Sequence, residues 1–421
     1  MRDSWPAGER VRGVANTLFA FVNRFDRRLW TLFFVQMTVS IGLCATMPFV
    51  SLYLYRELGV PMTVVGTIML IAASVGSIGR VIGGELADRI GRKPLITVAM
   101  AARMLIFLVM AYAIHVRAPV IVIACIYLAI RFVGDVVRPG LNAMVADLAG
   151  FKQRVEAFAF LRIGMNIGWA VGPALGGFLL TVSYSALFLL TAAASLTGFV
   201  LIVLFVSESV GQRESERFKL SSILDVARDG RFLAFSLCSL VLLLVTTQFS
   251  STLSVFSTEF VGITEVQLGL VYTLNGVIVI LFQWPAGLSA GRLGTRRALV
   301  LGSLAYGAGY FSLGVASSFA WVMGSMTMIT FGEIVHSPSA TTAVANMAKD
   351  GKTGRYMGFF GLAESLGWSG GPFIGGLLMD AYASTPLILW GTIAGMAVVA
   401  AAGYQAIRSQ SQRAADLLAA E

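Results

Sequence analysis

The sequence predicts an all-α membrane protein with twelve transmembrane helices arranged as two pseudo-symmetric six-helix bundles. Of its 421 residues, 57% are hydrophobic and 13% are charged, and the mean hydropathy is +0.80. A soluble domain has roughly 25% charged residues, so the composition excludes one. Apolar runs of about 20 residues, the length that crosses a bilayer as a helix, recur along the chain. The sequence has no segments in which polar and apolar residues alternate, the pattern that would indicate a membrane β-barrel.

The apolar runs form two sets of six. The first set lies at about 30–55, 61–87, 95–115, 118–146, 155–181 and 186–206, and the second at about 232–257, 265–290, 298–316, 320–345, 355–379 and 386–407. We number these spans 1 to 12. The expected domains are an N-terminal tail (1–29), an N-terminal bundle (30–206), a linker (207–231), a C-terminal bundle (232–407) and a C-terminal tail (408–421).

Internal repetition relates the two sets. The segment GELADRIGRKP at 84–94, between spans 2 and 3, has an imperfect copy, GLSAGRLGTR, at 287–296. The block GWAVGPALGG at 168–177 in span 5 recurs as GWSGGPFIGG at 367–376 in span 11. Two blocks that repeat in order at similar offsets indicate a duplicated six-helix unit. Parallel halves of this kind are typical of transporters with alternating access.

The charge distribution predicts the orientation. The net charge is +9, but most of the 31 Lys and Arg residues lie in tails and loops on one side, and only Arg56 and Arg117 lie on the other. This imbalance follows the positive-inside rule, so we expect a multi-pass protein of the cell membrane with both termini in the cytoplasm. The basic excess therefore reflects topology, and we expect no nucleic-acid partner.

The charged segment 84–94 is expected to form a tight turn at the cytoplasmic surface. Gly91 permits the turn, and the basic residues Arg89, Arg92 and Lys93 anchor it. Asp88, at the inner end of span 2, can face the positive N-terminus of a helix in the other half. The copy has Gly291 in place of Asp88, so we expect a conformational latch in one half only. The alternative is that these charges only fix the topology.

The glycines of span 5 suggest a gating helix. Gly168, Gly172 and Gly176 are four residues apart, which lets helices approach closely, and Gly177 follows. Pro173 bends the helix and frees a carbonyl group. The alternative is a close-packed, kinked helix without a gating role.

Both segments resemble those of a known family. The segment from Gly84 to Lys93 resembles the signature of the major facilitator superfamily between helices 2 and 3. The block 168–177 resembles the helix-5 signature of its drug/proton antiporter branch, although related lipid and metabolite carriers have versions of it. The resemblance implies the major facilitator fold, a latch between Asp88 and helix 11, and Asp147 as the acidic partner of the basic loop residues.

Ionisable residues within the spans are candidates for proton coupling. In span 4, Arg131 and Asp135 are four residues apart and can pair on one helical face. Arg131 resembles the helix-4 arginine that is linked to proton transfer in the antiporters. Glu333 in span 10 and Glu364 in span 11 are costly when charged at that depth, so their pKa values should rise and make protonation possible near neutral pH.

Glu333 is the first candidate for the proton carrier and Asp135 the second. The stretch GEIVHSP at 332–338 resembles a segment of drug/proton antiporters in which the glutamate is functional. The alternative is that Glu333 and Glu364 are permanently ion-paired with arginines across the cavity. Polar residues expected to line a substrate cavity are Gln36, Arg162, Asn166, Gln248 and His336. His336 could instead be a hydrogen-bonded packing residue.

Three functions are compatible with the sequence. The first is proton-coupled efflux of lipophilic or cationic small molecules by antiport. The second is proton-coupled transport of an anionic metabolite or lipid, attracted by Arg80, Arg131 and Arg162. The third is a transporter-like sensor that moves no substrate. No nucleotide-binding loop, metal-ligand cluster or nucleophile motif is present in the sequence, so we expect no enzyme, cofactor or metal, and we expect a monomer.

Overall fold

A computed structural model describes residues 25–149, 153–209, 225–349 and 352–407. The expected C-terminal tail lies outside these ranges, as do most of the expected N-terminal tail and linker. Within them the chain is helical and contains no β-strand.

The first half contains six long helices. They are α1 (Arg27–Leu52), which continues through a π-helical turn (Tyr53–Glu57), α2 (Met62–Ile90), α3 (Arg92–His115), α4 (Val120–Leu148), α5 (Arg154–Leu180) and α6 (Tyr184–Phe205). The second half contains α7 (Gly230–Thr246), α8 (Thr252–Glu259), α9 (Glu265–Leu293), α10 (Thr295–Leu313), α11 (Phe319–Met347), α12 (Thr353–Tyr382) and α13 (Pro386–Ala406). From α9 onwards the helix numbers run one ahead of the span numbers.

The shift in numbering arises because span 7 is divided. A 3-10 turn (Thr247–Ser250) separates α7 from α8. The Thr247 hydroxyl donates to the Leu243 carbonyl at 2.8 Å, and the Gln248 amide donates to the Leu244 carbonyl at 2.7 Å. Such side chains compete for backbone carbonyls and disturb a regular helix. The interruption of the expected continuous helix coincides with this cluster of polar residues.

The duplicated charged segments form equivalent turns. Gly91 separates α2 from α3 with a φ of 94°, and Gly294 separates α9 from α10 with a φ of 82°. Both values lie in the left-handed region that only glycine adopts readily. The one-residue turn thus depends on the glycine retained in both copies.

The repeated glycine blocks make equivalent packing contacts within each half. Gly168, Gly172 and Gly176 of α5 lie directly against the backbone of α1, where any added β-carbon would overlap neighbouring atoms. In the second half, Gly367, Gly371 and Gly375 of α12 lie in the same way against residues of α7, the 3-10 turn and α8. The sequence duplication is therefore a structural duplication.

The helices are suited to a bilayer. In the described ranges, nine helical segments are long and apolar enough to cross a membrane by length and composition. The segments α10, α11 and α12 are of comparable length but richer in glycine and hydroxyl residues. Together with α1–α7, α9 and α13 they form the two bundles, so the predicted fold class is confirmed.

Candidate functional site

The molecule has two distinct ends. We call the end that contains the turns at Gly91 and Gly294 the linker end, because α6 ends and α7 begins there. The opposite end, with the loops before α2 and α9, is called the far end. The halves contact each other mainly through α2 with α12 and α5 with α9.

Close backbone packing joins the halves toward the far end. Gly376 of α12 lies against the Met62 carbonyl at the start of α2, and Gly177 of α5 lies against the Glu265 carbonyl at the start of α9. A β-carbon at either glycine would overlap the facing oxygen. These glycines are equivalent positions of the repeated block. Of the predicted gating residues, Gly168, Gly172 and Gly176 therefore pack within the first half, whereas Gly177 lies at the interface.

Pro173 also lies at this interface. Its carbonyl faces Gly269 of α9 so closely that any side chain at position 269 would collide with it. The helix interior around Pro173 thus contacts the other half through its backbone.

Polar contacts strengthen the same end. Arg56 donates to Glu259 at 2.6 Å and also pairs with Glu265, so one guanidinium joins the first half to two carboxylates of the second. Asp380, in the last turn of α12, accepts hydrogen bonds from the backbone amides of Met62 at 2.9 Å and Thr63 at 2.8 Å. A carboxylate at this position satisfies free N–H groups and the positive end of the helix dipole. These polar contacts therefore join the two halves at the far end.

Further from that end, the first half contains a group of charged residues that we call the arginine cluster: Arg80, Arg103, Arg131 and Arg138 around Asp135. Asp135 has a side chain only 5% exposed and lies 3.1 Å from Arg80, 3.5 Å from Arg131 and 3.8 Å from Arg138. Arg103 is buried above the Phe107 ring, 5.8 Å from its centroid. The predicted pairing of Arg131 with Asp135 is present, but the carboxylate is shared.

The second half contributes acidic residues. Glu333 of α11 is half-buried and accepts a hydrogen bond from the Asn275 amide of α9 at 2.9 Å. Arg162 of α5 is close enough to interact electrostatically with Glu333, although the two form no ion pair. Glu364 of α12 is exposed and has no basic partner among the described residues. At about 1.5 Å per residue, Glu333, Arg162 and Glu364 lie roughly 15–30 Å from the far end of their helices. The residues of the arginine cluster lie at the same depth.

Of the predicted latch residues, Arg92 contacts both Asp88 and Asp147 at the linker end, whereas Arg89, Lys93 and Gly84 contact residues outside the set. Arg92 is buried, and its Nε lies 3.2 Å from an Asp147 oxygen and its guanidinium 3.9 Å from Asp88. Lys93 donates its Nζ to the Val203 carbonyl at 3.2 Å, and Arg89 pairs with Glu85. The helical glycine Gly84 has only Pro139 nearby. Among the described residues, Asp88 contacts Arg92 of its own half and forms no ion pair with α12.

The cavity predictions divide into two groups. Gln36 and Asn166 are half-buried and Arg162 is exposed, as a cavity lining requires. Gln248 does not line a cavity, because its amide donates to the Gly371 carbonyl at 2.8 Å and ties the end of α7 to α12. His336 is also buried, with Nε2 3.3 Å from the Tyr404 hydroxyl, so it packs within the second half.

Several contacts were not anticipated from the sequence. Arg56 and Glu259 occupy equivalent positions of the two halves, and the isolated Arg56 on the sparsely charged side was the available signal. Glu208 accepts hydrogen bonds from the backbone amides of Arg92 and Lys93, at 3.3 and 3.1 Å, and so caps α3. Asn275 and Asp380 carried no recognisable motif, since their partners are distant in sequence.

Comparisons with known proteins agree with this architecture. The family model for the Major Facilitator Superfamily matches residues 29–372 and 236–416. The uncharacterized MFS-type transporter YttB of Bacillus subtilis (strain 168) is 28% identical over 357 residues, covering 81% of this chain and 86% of that protein. The quinolone resistance protein NorA of Staphylococcus aureus (strain MSSA476) is 22% identical over 366 residues, covering 86% and 93%.

Solved structures share the fold. A POT family transporter in complex with 5-aminolevulinic acid gives a TM-score of 0.74 at 15% identity, covering 91% of this chain and 97% of that chain. A bacterial homolog of the human lysosomal transporter Spinster, in an inward-facing and unoccupied conformation, gives 0.72 at 13% identity, covering 89% and 95%. The chain therefore belongs to the Major Facilitator Superfamily and is a multi-pass membrane transporter.

Proposed function

We propose that this transporter exports lipophilic small molecules from the cytoplasm in exchange for protons, by alternating access. The observation that carries the proposal is Glu333, a half-buried carboxylate whose described hydrogen-bond donor is the neutral Asn275. A neutral donor can bond to the carboxyl group in either protonation state, so Glu333 can take up and release a proton without leaving a buried cation unpaired. Similarity to NorA, whose name refers to quinolone resistance, supports the export direction.

The orientation follows from charge. We assign the linker end, and both termini, to the cytoplasm, because most Lys and Arg residues lie on that side. The far-end contacts of Arg56 and Asp380 then close the outer side, and the present conformation is inward-facing. The Spinster homolog with a similar fold was solved in an inward-facing conformation, which supports this assignment.

Alternating access requires the two bundles, 30–206 and 232–407, to rock against each other while the linker stays in the cytoplasm. In the inward-facing state the far-end contacts hold them together. In the outward-facing state we place Asp88 at the N-terminus of α12. There it interacts with the helix dipole in the same way as Asp380 does at the N-terminus of α2 in the inward-facing state. Protonation of Glu333 removes its attraction for Arg162 across the halves, and this change in electrostatics biases the two states.

The proposal is tested in proteoliposomes that contain a pH-sensitive dye. We expect an imposed proton gradient to drive the uptake of a lipophilic probe. Movement of the probe in one direction should move protons in the other, and the pH-sensitive dye reports this proton flux. Glu333→Gln should abolish the coupled proton flux while the protein still folds. Glu85→Gln, which removes an exposed carboxylate at the linker end, serves as the control and should retain coupling. Wild-type coupling in Glu333→Gln would rule out Glu333 as the proton carrier.

A further inference from the structure

We infer that the cargo is a zwitterion with an apolar body, whose acidic group binds Arg162 and whose amine binds Glu333. This inference deepens the proposed function, on which it rests, by naming the substrate class. The juxtaposition that points to it is a basic wall in the first half facing an acidic wall in the second half, at the same depth.

The basic wall has an uncompensated positive charge. In the arginine cluster and Arg162, five guanidinium groups are set against the single carboxylate of Asp135. The side chains of Arg80 and Arg131 remain 43% and 44% exposed, so their donors are not used up by Asp135. Each guanidinium has five N–H donors, more than one shared carboxylate can satisfy.

The charged groups of the opposite wall are acidic among the described residues. Glu333 and Glu364 lie at this depth in α11 and α12, and the described part of the second half has no Lys or Arg there. A cation alone would be repelled by the first wall, and an anion alone by the second. A molecule with both charges is attracted by both walls.

The exposed arginines do not face lipid. On α4, the exposed apolar residues Ile121 and Val122 mark the lipid-facing side. The exposed Cys125 has an angular position around the helix axis between those of Ile121 and Val122. At about 100° per residue, Arg131 and Arg138 share one face that is turned more than about 120° from the midpoint of that side. Exposed charges on the face away from lipid line a water-filled cavity.

Arg162 is exposed on a similar inward-facing side. On the far-end half of α5, the exposed apolar residues Val171, Leu175 and Phe178 lie roughly opposite Arg162 around the helix. Arg162 and Glu333 lie within electrostatic range of each other but form no ion pair. An amine and an acid on one small molecule can replace this long-range interaction with two direct ion pairs.

An apolar surface lies next to the charged layer. Trp169 is seven residues from Arg162 on α5, which is two turns or about 10 Å toward the far end on the same face. The centroids of the Trp169 and Phe249 rings are 5.7 Å apart, and both residues are half-buried. This aromatic pair bridges the halves and forms a surface for the apolar body of the cargo.

The arrangement also accounts for exchange with protons. The cargo amine and the proton both neutralise Glu333, so only one of them can be bound there at a time. Competition at one carboxylate is the requirement for antiport. A cargo with only an acidic group would instead bind better when Glu333 is protonated, which would favour cotransport.

The test compares three probes with the same aromatic body: 2-naphthylalanine (zwitterion), its methyl ester (cation) and its N-acetyl derivative (anion). Binding to the purified full-length protein in detergent is measured by isothermal titration calorimetry, without a proton gradient. We expect the zwitterion to bind about tenfold more tightly than either analogue, because it alone makes two charge-assisted contacts.

Variants assign the contacts. Glu333→Gln should reduce zwitterion affinity to that of the N-acetyl derivative, and Arg162→Gln should reduce it to that of the ester. Arg162→Lys, which keeps the charge, should retain the preference, and Arg117→Gln outside the cavity should change nothing. Equal affinities for the three probes, tighter binding of the ester, or no binding of any probe would overturn the inference. Loss of proton coupling with the zwitterion preference intact would instead contradict only the proposed antiport.

Discussion

At the scale of single residues, the sequence predicts that Asp135 pairs with an arginine, but it does not predict how many arginines share the carboxylate. The four-residue spacing from Arg131 predicted one pair, but Arg80 approaches from α2 and Arg138 from the next turn. Gly76 makes room for the carboxylate, because a β-carbon there would overlap Asp135 Oδ2. The sharing depends on how α2 packs on α4, and no local pattern reports that packing.

Gly91 provides a residue-scale prediction. With a φ of 94°, Gly91→Ala adopts a strained backbone, and its β-carbon would lie 2.6 Å from a Glu208 carboxylate oxygen. We expect a loss of about 1–2 kcal/mol of stability from the backbone alone, seen as a lower thermal unfolding temperature in detergent.

The matched control is Gly84→Ala. Gly84 is helical, and the nearest atom to an added β-carbon is Pro139 Cβ at 3.9 Å. This variant should unfold at the wild-type temperature or slightly above it. Equal unfolding temperatures for the two variants would mean that the turn does not need glycine.

At the scale of elements, the most informative contact is the cap that Asp380 places on α2. Helix α2 begins after Pro61 and has no side-chain cap of its own, so the carboxylate from α12 supplies one across the interface. The long apolar runs located the helices well, because hydropathy is a local property. The cap on α2 was not predicted, because its partner Asp380 is distant in sequence. The interruption between α7 and α8 was not predicted either, because hydroxyl side chains occur in continuous helices as well.

We predict that Asp380→Ala destabilises the inward-facing state. Loss of a capping side chain costs about 0.5–2 kcal/mol, which corresponds to a shift of about two- to thirtyfold toward the outward-facing state. Asp380→Asn should have a smaller effect, because asparagine also accepts N-terminal hydrogen bonds.

The shift is measured by alkylation of a reporter cysteine at Phe373, which packs against Gly66 in the closed far end. Cys44, Cys125 and Cys238 are replaced beforehand. Thr181→Cys, exposed at the far end of α5, controls for reagent access. If the reporter reacts at the same rate with and without the Asp380→Ala substitution, while the control is unchanged, the cap does not hold the far end closed.

At the scale of the whole molecule, the duplication explains both the symmetry and its limits. Equivalent glycines, Gly177 and Gly376, place each half against the other at the far end. The charges differ, because the arginine cluster and Arg162 lie in the first half, whereas Glu333 and Glu364 lie in the second. The fold and its repeats were readable from the sequence. The far-end closure and the opposition of the charged walls were not, since both depend on how the halves are apposed.

The rocking of the two halves around one cavity can be followed by a pair of distance measurements with double electron–electron resonance. One spin-label pair joins Glu85 to Lys349 at the linker end, and the other joins Arg117 to Ser384 at the far end, in the cysteine-free background. We predict opposite changes when the conformation is switched by pH or by a bound probe: the linker-end distance shortens while the far-end distance lengthens. Distances that stay fixed, or that change in the same direction, would rule out a rocking motion of the two halves.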